Sequence, residues 1–308
     1  MQTPWGEFPV CDAHVHFFSP AFFESLAQQS GRPLEGIGRE LGWRISHSRE
    51  VLAEAWVSEL DEYGIAKAAL IASIPGDEDS VAAAVSLHPE RFYGYFMANP
   101  LAPDGIQRIQ TALAGGRMQG VCLFPAMHRY SIADPRVRPV FEAAAAAPGT
   151  VVFVHCGVLT VGVRRKLGLP SLFDMRYSNP IDLHAVAIEF PQVNFVVPHF
   201  GAGYFREALM LCDLCPNVHL DTSSSNSWMR YQPDPLDLKT VYRKALDVAG
   251  PHRLLFGSDS SFFPRGWHSQ VYEAQMEALR DLDISIDHAR LILGGNLERL
   301  LTRQAAAA

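Results

Sequence analysis

The sequence predicts an α/β fold in a single domain, residues 1–308: a (β/α)8 TIM barrel with long loops after strands 1 and 5. Three observations predict it. Apolar runs of strand length occur eight times, and the segments between them are mostly of helix length. The runs are nearly continuous in apolar residues, as TVVFVHC and VNFVVPH show, and a strand covered by helices on both faces reads this way. Strand then helix, repeated over 308 residues, favours a closed barrel over an open doubly wound sheet.

The first run, residues 8–17, leads into AHVHFFSP, where a dinucleotide-binding fold would need a glycine-rich turn. A connection over 18–58 follows, long for a strand-to-helix loop. The second and third runs, 65–73 and 91–99, flank DSVAAAVSL (79–87), which opens on a capping-type Asp79 and continues in good helix formers. After the fourth run, 120–125, VRPVFEAAAAA (137–147) reads as a helix stopped by Pro148 and Gly149. The fifth run, 150–156, precedes the second long connection, 157–181, and then DLHAVAIEF (182–190), which ends at Pro191. The last runs are 193–199, 218–222 and 253–259, and GGN at 294–296 reads as a turn before the closing helix. Both long connections leave carboxyl ends of strands, where barrel enzymes build lids and substrate walls.

Composition excludes several function classes. Hydrophobic residues are 48% and charged residues 19%, as in a globular protein with a large core. A net charge of -7 offers nothing to neutralise a phosphate backbone, so no nucleic-acid partner is expected. No run approaches ~20 uninterrupted apolar residues, so no membrane span is expected. The first residues lack the basic-then-apolar pattern of a secretory signal, and five cysteines make no disulfide framework, so a cytoplasmic location is expected. Cys212 and Cys215 (CDLC) fall inside the helical pattern FREALMLCDLC, which points to packing rather than a redox pair.

His14 and His16 stand two apart in the first run, so strand alternation turns both to one face. Two such imidazoles need either separate partners or a shared cation. His155, His199 and Asp259 close the fifth, sixth and eighth runs (VVFVH, NFVVPH, LLFGSD), where a structural strand would place another Val or Leu. An unpartnered carboxylate buried there is costly. Polar residues converging at the same end of four strands point to a bound metal.

HVH in the first strand, VHCG in the fifth, PHFGAG in the sixth and FGSD in the eighth resemble the amidohydrolase superfamily, and within it the amidohydrolase-2 family of aminocarboxymuconate-semialdehyde decarboxylase-like metal-dependent hydrolases. The resemblance runs from residue 10 through ARLILGGNLERLL (289–301). It implies His14, His16, His155 and Asp259 as ligands to one divalent metal, Zn2+ first and Mn2+ as the alternative, with His199 and Asp259 as the catalytic residues. Other superfamily members bridge two metals with a lysine or glutamate on the fourth strand, and GVCLFP puts Cys122 there instead. Cysteine cannot be carboxylated, so a mononuclear site follows and Cys122 is expected as a small buried hydrophobe. Asp221, in VHLDTSS, is expected to support the ligands from behind. The resemblance also implies a homodimer.

The expected activity is hydrolysis of a lactone, amide or ester on a small carboxylate-bearing or cyclic substrate: activated water attacks a carbonyl, Asp259 takes a proton and His199 stabilises the oxyanion. The alternative from the same residues is non-oxidative decarboxylation of an aromatic or unsaturated carboxylic acid. A barrel that binds metal without catalysis is the remote alternative. Candidate substrate contacts are Arg165, Arg265, His128 and Trp267, drawn from arginines (129, 164, 165, 176, 265) and aromatic residues (Trp43, Trp228, Phe262, Phe263, Trp267) on segments beyond the strands.

Overall fold

In a computed structural model, which describes residues 1–302, the eight expected strands form one parallel sheet. They are β1 (Cys11–Phe17), β2 (Lys67–Ala72), β3 (Phe92–Ala98), β4 (Met118–Leu123), β5 (Val151–Val154), β6 (Asn194–Val197), β7 (Val218–Asp221) and β8 (Leu254–Leu255). Each pairs with its sequence neighbour. The ends then meet: Ala13 N donates to Phe256 O (2.8 Å), His16 N to Ser260 O (2.7 Å) and Asp259 N to His14 O (3.0 Å). The sheet is a closed barrel. No helix among the described residues is long and apolar enough to cross a membrane.

The continuous apolar runs are explained by two layers. Val15, Phe17, Leu70 and Val121 face the helices in the large outer core, whereas Ala69, Ile71, Tyr95, Cys122 and Phe153 fill the barrel. At β1 the register against β2 shifts between Asp12 and Val15. Bulges of this kind re-aim side chains next to functional sites, and this one falls at His14.

Helices near the expected positions span Glu78–Leu87 and Arg138–Ala145. The third, expected over 182–190, divides into a 3-10 turn at Pro180–Leu183 and a helix at His184–Glu189, because the Asn179 side chain accepts from Ile181 N and starts the turn early. The GGN segment ends a π-helical turn, Leu291–Gly295, which kinks at Gly294, where the backbone leaves helical angles, and leads into the helix Asn296–Leu301. The short antiparallel pair Gln2–Thr3 and Gly6–Glu7 precedes the barrel and has no apolar pattern to announce it. Cys212 lies in the helix Phe205–Leu214 and Cys215 caps its end, both buried and free.

The long connection after β1 is built of helices α1 (Pro20–Ser30), α2 (Leu34–Leu41) and α3 (Arg49–Tyr63). Phe22, Phe23, Ile37 and Leu41 from α1 and α2 form a separate apolar cluster with Val163 and Leu167 from the connection after β5. The two insertions thus pack on each other, with Phe18 joining them to His16 at a ring separation of 5.7 Å.

His219, buried on β7, has its pKa lowered to about 3, first by burial and then by the charges of Arg299 and Arg253. The folded state therefore favours the neutral ring. That contribution is complete above the unfolded pKa of about 6.5 and is lost as pH falls from there towards 3. Replacing His219 by Phe should reduce the stability lost between pH 7.5 and pH 5 by about 2 kcal/mol, read from urea midpoints at the two pH values. Equal losses in both proteins would refute the assignment.

Candidate metal centre

β1 carries His14 and His16, and Asp259 lies just past β8 on the neighbouring segment of the closing seam. His14 Nε2 and His16 Nε2 are 3.4 Å apart. Asp259 Oδ1 stands 3.4 Å from His16 Nε2 and 3.8 Å from His14 Nε2. These three are the group that offers ligand atoms within 4.8 Å of one another among the described residues.

The far nitrogens decide what faces that point. His14 Nδ1 lies 2.6 Å from Asp221 Oδ2, and a carboxylate can only accept, so Nδ1 carries the hydrogen. His16 Nδ1 lies 2.8 Å from Ser73 Oγ, whose own hydrogen is donated to Ile71 O at 2.9 Å, so Nδ1 again donates. Both Nε2 lone pairs therefore point at one spot beside a carboxylate oxygen, the donor set a divalent cation requires.

The charges of the group act on one another. Burial opposes a charge on His14, but the Asp221 charge and hydrogen bond outweigh it and its pKa is raised. His16 is lowered, first by burial, with Asp259 opposing. Desolvation works against the Asp259 carboxylate, yet the adjoining His16, His14 and His199 rings hold it well below the usual carboxylate range. A permanently ionised carboxylate next to a neutral imidazole suits a cation.

His155 and His199 continue the array. Ring centroids run His16–His14 5.1 Å, His14–His199 5.0 Å and His199–His155 5.3 Å. His155 stacks on Phe124, is buried, and has an Nδ1 with no hydrogen-bond partner among the described residues. It thus stands two rings beyond the three-residue group, with His199 between, and its pKa is pushed well down by burial and by His199 and His14. Burial likewise lowers His199. His199 (φ 57°) and Asp259 (φ 59°) both adopt left-handed backbone, which costs non-glycine residues about 1–2 kcal/mol each and recurs at functional sites. Around His199 the chain has no room to relax, since a Cβ on Gly157 would sit 2.2 Å from Gly201 O.

The remaining candidates separate. Arg265 Nη2 donates to Asp259 O (3.2 Å) and Ser261 Oγ (2.9 Å), and its guanidinium lies over Phe262 at 4.5 Å. Phe262 in turn stacks on Trp43 at 4.0 Å. Arg165 is exposed on the short helix Gly162–Lys166 and makes no side-chain hydrogen bond or ion pair among the described residues. Arg129 is spent on Leu172 O, Arg164 on Pro170 O and Arg176 on Asp174. His128 keeps a buried, unpartnered Nδ1, and burial lowers its pKa to about 4. Trp267 corrects the expectation of a substrate contact: it is 2% exposed, packs against Tyr63 and Tyr272, and gives its indole N–H to Asp12 at 2.8 Å. Trp228 is also buried, bonded to Asn226, and Phe263 packs on Trp56.

Three residues the sequence reading passed over hold the centre. Asp12, fully buried, accepts from His14 N (2.9 Å), Ser258 N (3.0 Å) and Trp267, tying β1 to the segment after β8. Ser73 orients His16, and Ser223 touches both His14 and His199. Asp12 is a carboxylate inside an apolar run, a signal available in CDAHVH; a serine at a strand end carries no such mark. Cys122 is fully buried in the barrel interior, outside the ligand group. Cys122→Ser should leave bound metal per chain unchanged, measured by elemental analysis, and a loss of metal would make the thiol a ligand.

The chain belongs to the amidohydrolase family, whose profile matches residues 11–303, and it is an enzyme of that class. Among curated relatives, 6-methylsalicylic acid decarboxylase of Penicillium expansum is 26% identical over 309 residues, covering 88% of this chain and 93% of that protein. Protein fluG of Emericella nidulans is 32% identical over 87 residues, 28% of this chain but only 10% of that protein's length. Among solved structures, 5-carboxyvanillate decarboxylase from Sphingomonas paucimobilis superposes with a TM-score of 0.66 at 16% identity, covering 97% of this chain and 100% of the other. A 5-carboxyvanillate decarboxylase from Novosphingobium aromaticivorans with bound manganese gives 0.64 at 14% identity (96% and 97% covered). An amidohydrolase from Burkholderia multivorans with bound zinc gives 0.61 at 18% identity (96% and 100% covered). The family and these structures contain decarboxylases and hydrolases on one barrel.

Proposed function

We propose that this enzyme is a metal-dependent, non-oxidative decarboxylase of a small aromatic or unsaturated carboxylic acid. One observation carries the metal reading: the His14 and His16 Nε2 lone pairs converge beside Asp259 Oδ1. His155, with its unpartnered Nδ1, is the fourth ligand in this reading, and zinc is preferred over manganese for three imidazoles and one carboxylate. When bound, the cation supplies Lewis acidity to a substrate oxygen. Asp259 stays ionised under the charges around it. His199 faces the same space and moves a proton at its free ring nitrogen. In the decarboxylase reaction His199 first takes up a proton from solvent, the bond between ring carbon and carboxyl carbon breaks with its electron pair staying on the ring carbon, and His199 delivers that proton in place of carbon dioxide and is left neutral. Arg265, anchored at Asp259 O, is the cation placed to meet an anionic substrate, and Phe18, Trp43 and Phe262 form the apolar rim for a ring.

Carboxyl loss is preferred here to hydrolysis, the reverse of the order the sequence alone suggests. The support is the nearly full-length relation to 6-methylsalicylic acid decarboxylase together with the stacked aromatic rim. Hydrolysis of a lactone, amide or ester is the second reading, favoured by the same ionised Asp259 as proton acceptor. The test is a mass-spectrometric screen of zinc- or manganese-loaded enzyme against aromatic and unsaturated acids, lactones and amides. A product lighter by carbon dioxide is expected. A product gaining water overturns the proposal in favour of hydrolysis, and metal uptake with no turnover of any substrate overturns both.

A further inference from the structure

The backbone ladder between β7 and β8 runs out at the bond from Thr222 N to Leu255 O (2.9 Å). Beyond it the amides turn to side chains, Ser223 N to Asp221 Oδ1 (2.6 Å) and Ser258 N to Asp12 Oδ1 (3.0 Å). The two strands part at the place where their spacing matters, because Asp221 at the end of β7 braces His14 and Asp259 lies just past β8. The buried carbonyls they leave behind still need partners.

One side chain takes over from the ladder. Gln275, fully buried on the helix Ser269–Arg280, donates from Nε2 to Thr222 O (3.2 Å) and to Gly257 O (2.9 Å), one carbonyl from each strand. Its Oε1 accepts from Thr222 Oγ1 (2.7 Å) and from the hydroxyl of Tyr242 (2.6 Å), itself fully buried on the helix Leu238–Val248. Both hydrogens and both lone pairs of the amide are used, and its orientation is fixed. Turned over, it would set its oxygen against two carbonyl oxygens that have no hydrogen to give. Thr222 stands between Asp221 and Ser223, and Gly257 two residues before Asp259. The fit is close there, since even a Cβ on Gly257 would come within 2.9 Å of Asp221 Oδ1 and His14 Cβ.

We propose that Gln275 is a positioning residue that sets the separation of β7 and β8 beyond the end of their ladder, and through it the placing of His14, by way of Asp221, against Asp259. The inference rests on the reading of His14 and Asp259 as metal ligands.

The test is titration of chelator-treated protein with Co2+, followed by the visible absorption of the bound ion, which reports affinity and coordination geometry together. Gln275→Glu keeps an oxygen for the Thr222 and Tyr242 hydroxyls but has at most one hydrogen for two carbonyls. Its cobalt affinity should fall about tenfold, with an altered spectrum. Tyr242→Phe takes one hydrogen bond from the same amide and leaves both carbonyl bonds, so its affinity and spectrum should match the wild type even as its urea midpoint falls. A glutamine that merely joins helices to the sheet would lower stability in both variants and leave cobalt binding alike in all three proteins, and that outcome overturns the proposal. If Gln275→Glu fails to fold, hydrogen exchange of the wild-type protein decides. Cobalt should slow exchange in peptides covering 269–280 as well as in those covering 254–260, and protection confined to 254–260 overturns the proposal. Wild-type protein that binds no cobalt refutes the metal reading and the role of Gln275 with it, whereas equal binding by wild type and Gln275→Glu refutes that role alone.

Discussion

His14→Ala is expected to abolish metal retention and to destabilise the protein by about 3–5 kcal/mol, the usual cost of stranding one partner of a buried ionic pair. Both effects follow from the two ends of one ring. Nε2 faces His16 and Asp259, so its removal leaves one imidazole and one carboxylate from the three-residue group. Nδ1 is the 2.6 Å partner of Asp221, which is fully buried and held ionised chiefly, against its own burial, by the His14 charge and hydrogen bond. Asp221→Asn separates the two effects. It keeps the volume but weakens the orientation of His14, and metal affinity should fall 10–100-fold while some metal is retained, on the order found for partners of ligands. Elemental analysis after dialysis and urea denaturation check both variants. Full metal occupancy in His14→Ala would sink the ligand assignment.

Gly257→Ala is expected to damage the same centre without touching a polar atom. An added Cβ meets Asp221 Oδ1, His14 Cβ and Ser223 Cβ, each at 2.9 Å, closer than real contacts allow. All three neighbours lie in fully or nearly fully buried positions with bonded partners, so none can swing aside. Overpacking of this kind costs about 1–3 kcal/mol, and here it falls on His14 and on the Asp221 and Ser223 side chains beside it. Metal affinity should drop with stability, by titration calorimetry against the wild type. A variant that keeps wild-type affinity would show that the strands beside the seam adjust more than these contacts permit.

The barrel was readable because its strands are covered on both faces and so announce themselves as unbroken apolar runs; even β8 was found, although only Leu254 and Leu255 lie in the ladder, since Phe256 continues the run by bonding Ala13 across the seam. His14, His16 and Asp259 were legible because each breaks such a run with a side chain that cannot sit there unpaired. What failed was everything whose meaning depends on a distant partner. Trp267 lies on a loop in sequence, and nothing local reveals that Asp12, far away in β1, takes its N–H and draws it into the wall. Ser73 and Ser223 are indistinguishable from turn serines until the ring nitrogens they face are known. The packing of α1 and α2 on Val163 joins two insertions more than 100 residues apart, which no periodicity within either could show.

The seam between β1 and β8 has a consequence for how the protein is made. Residues 13–16 and 256–260 supply the last backbone hydrogen bonds of the barrel, and the same stretch supplies His14, His16 and Asp259. During synthesis His14 and His16 are therefore made well before Asp259, and the three-residue group is complete only once both sides of the seam exist. Closure of that ring joins segments about 240 residues apart, and loop-closure entropy makes such events slow. A cation bound only by the closed form would act as a rivet, stabilising it by mass action and holding the first and last staves together.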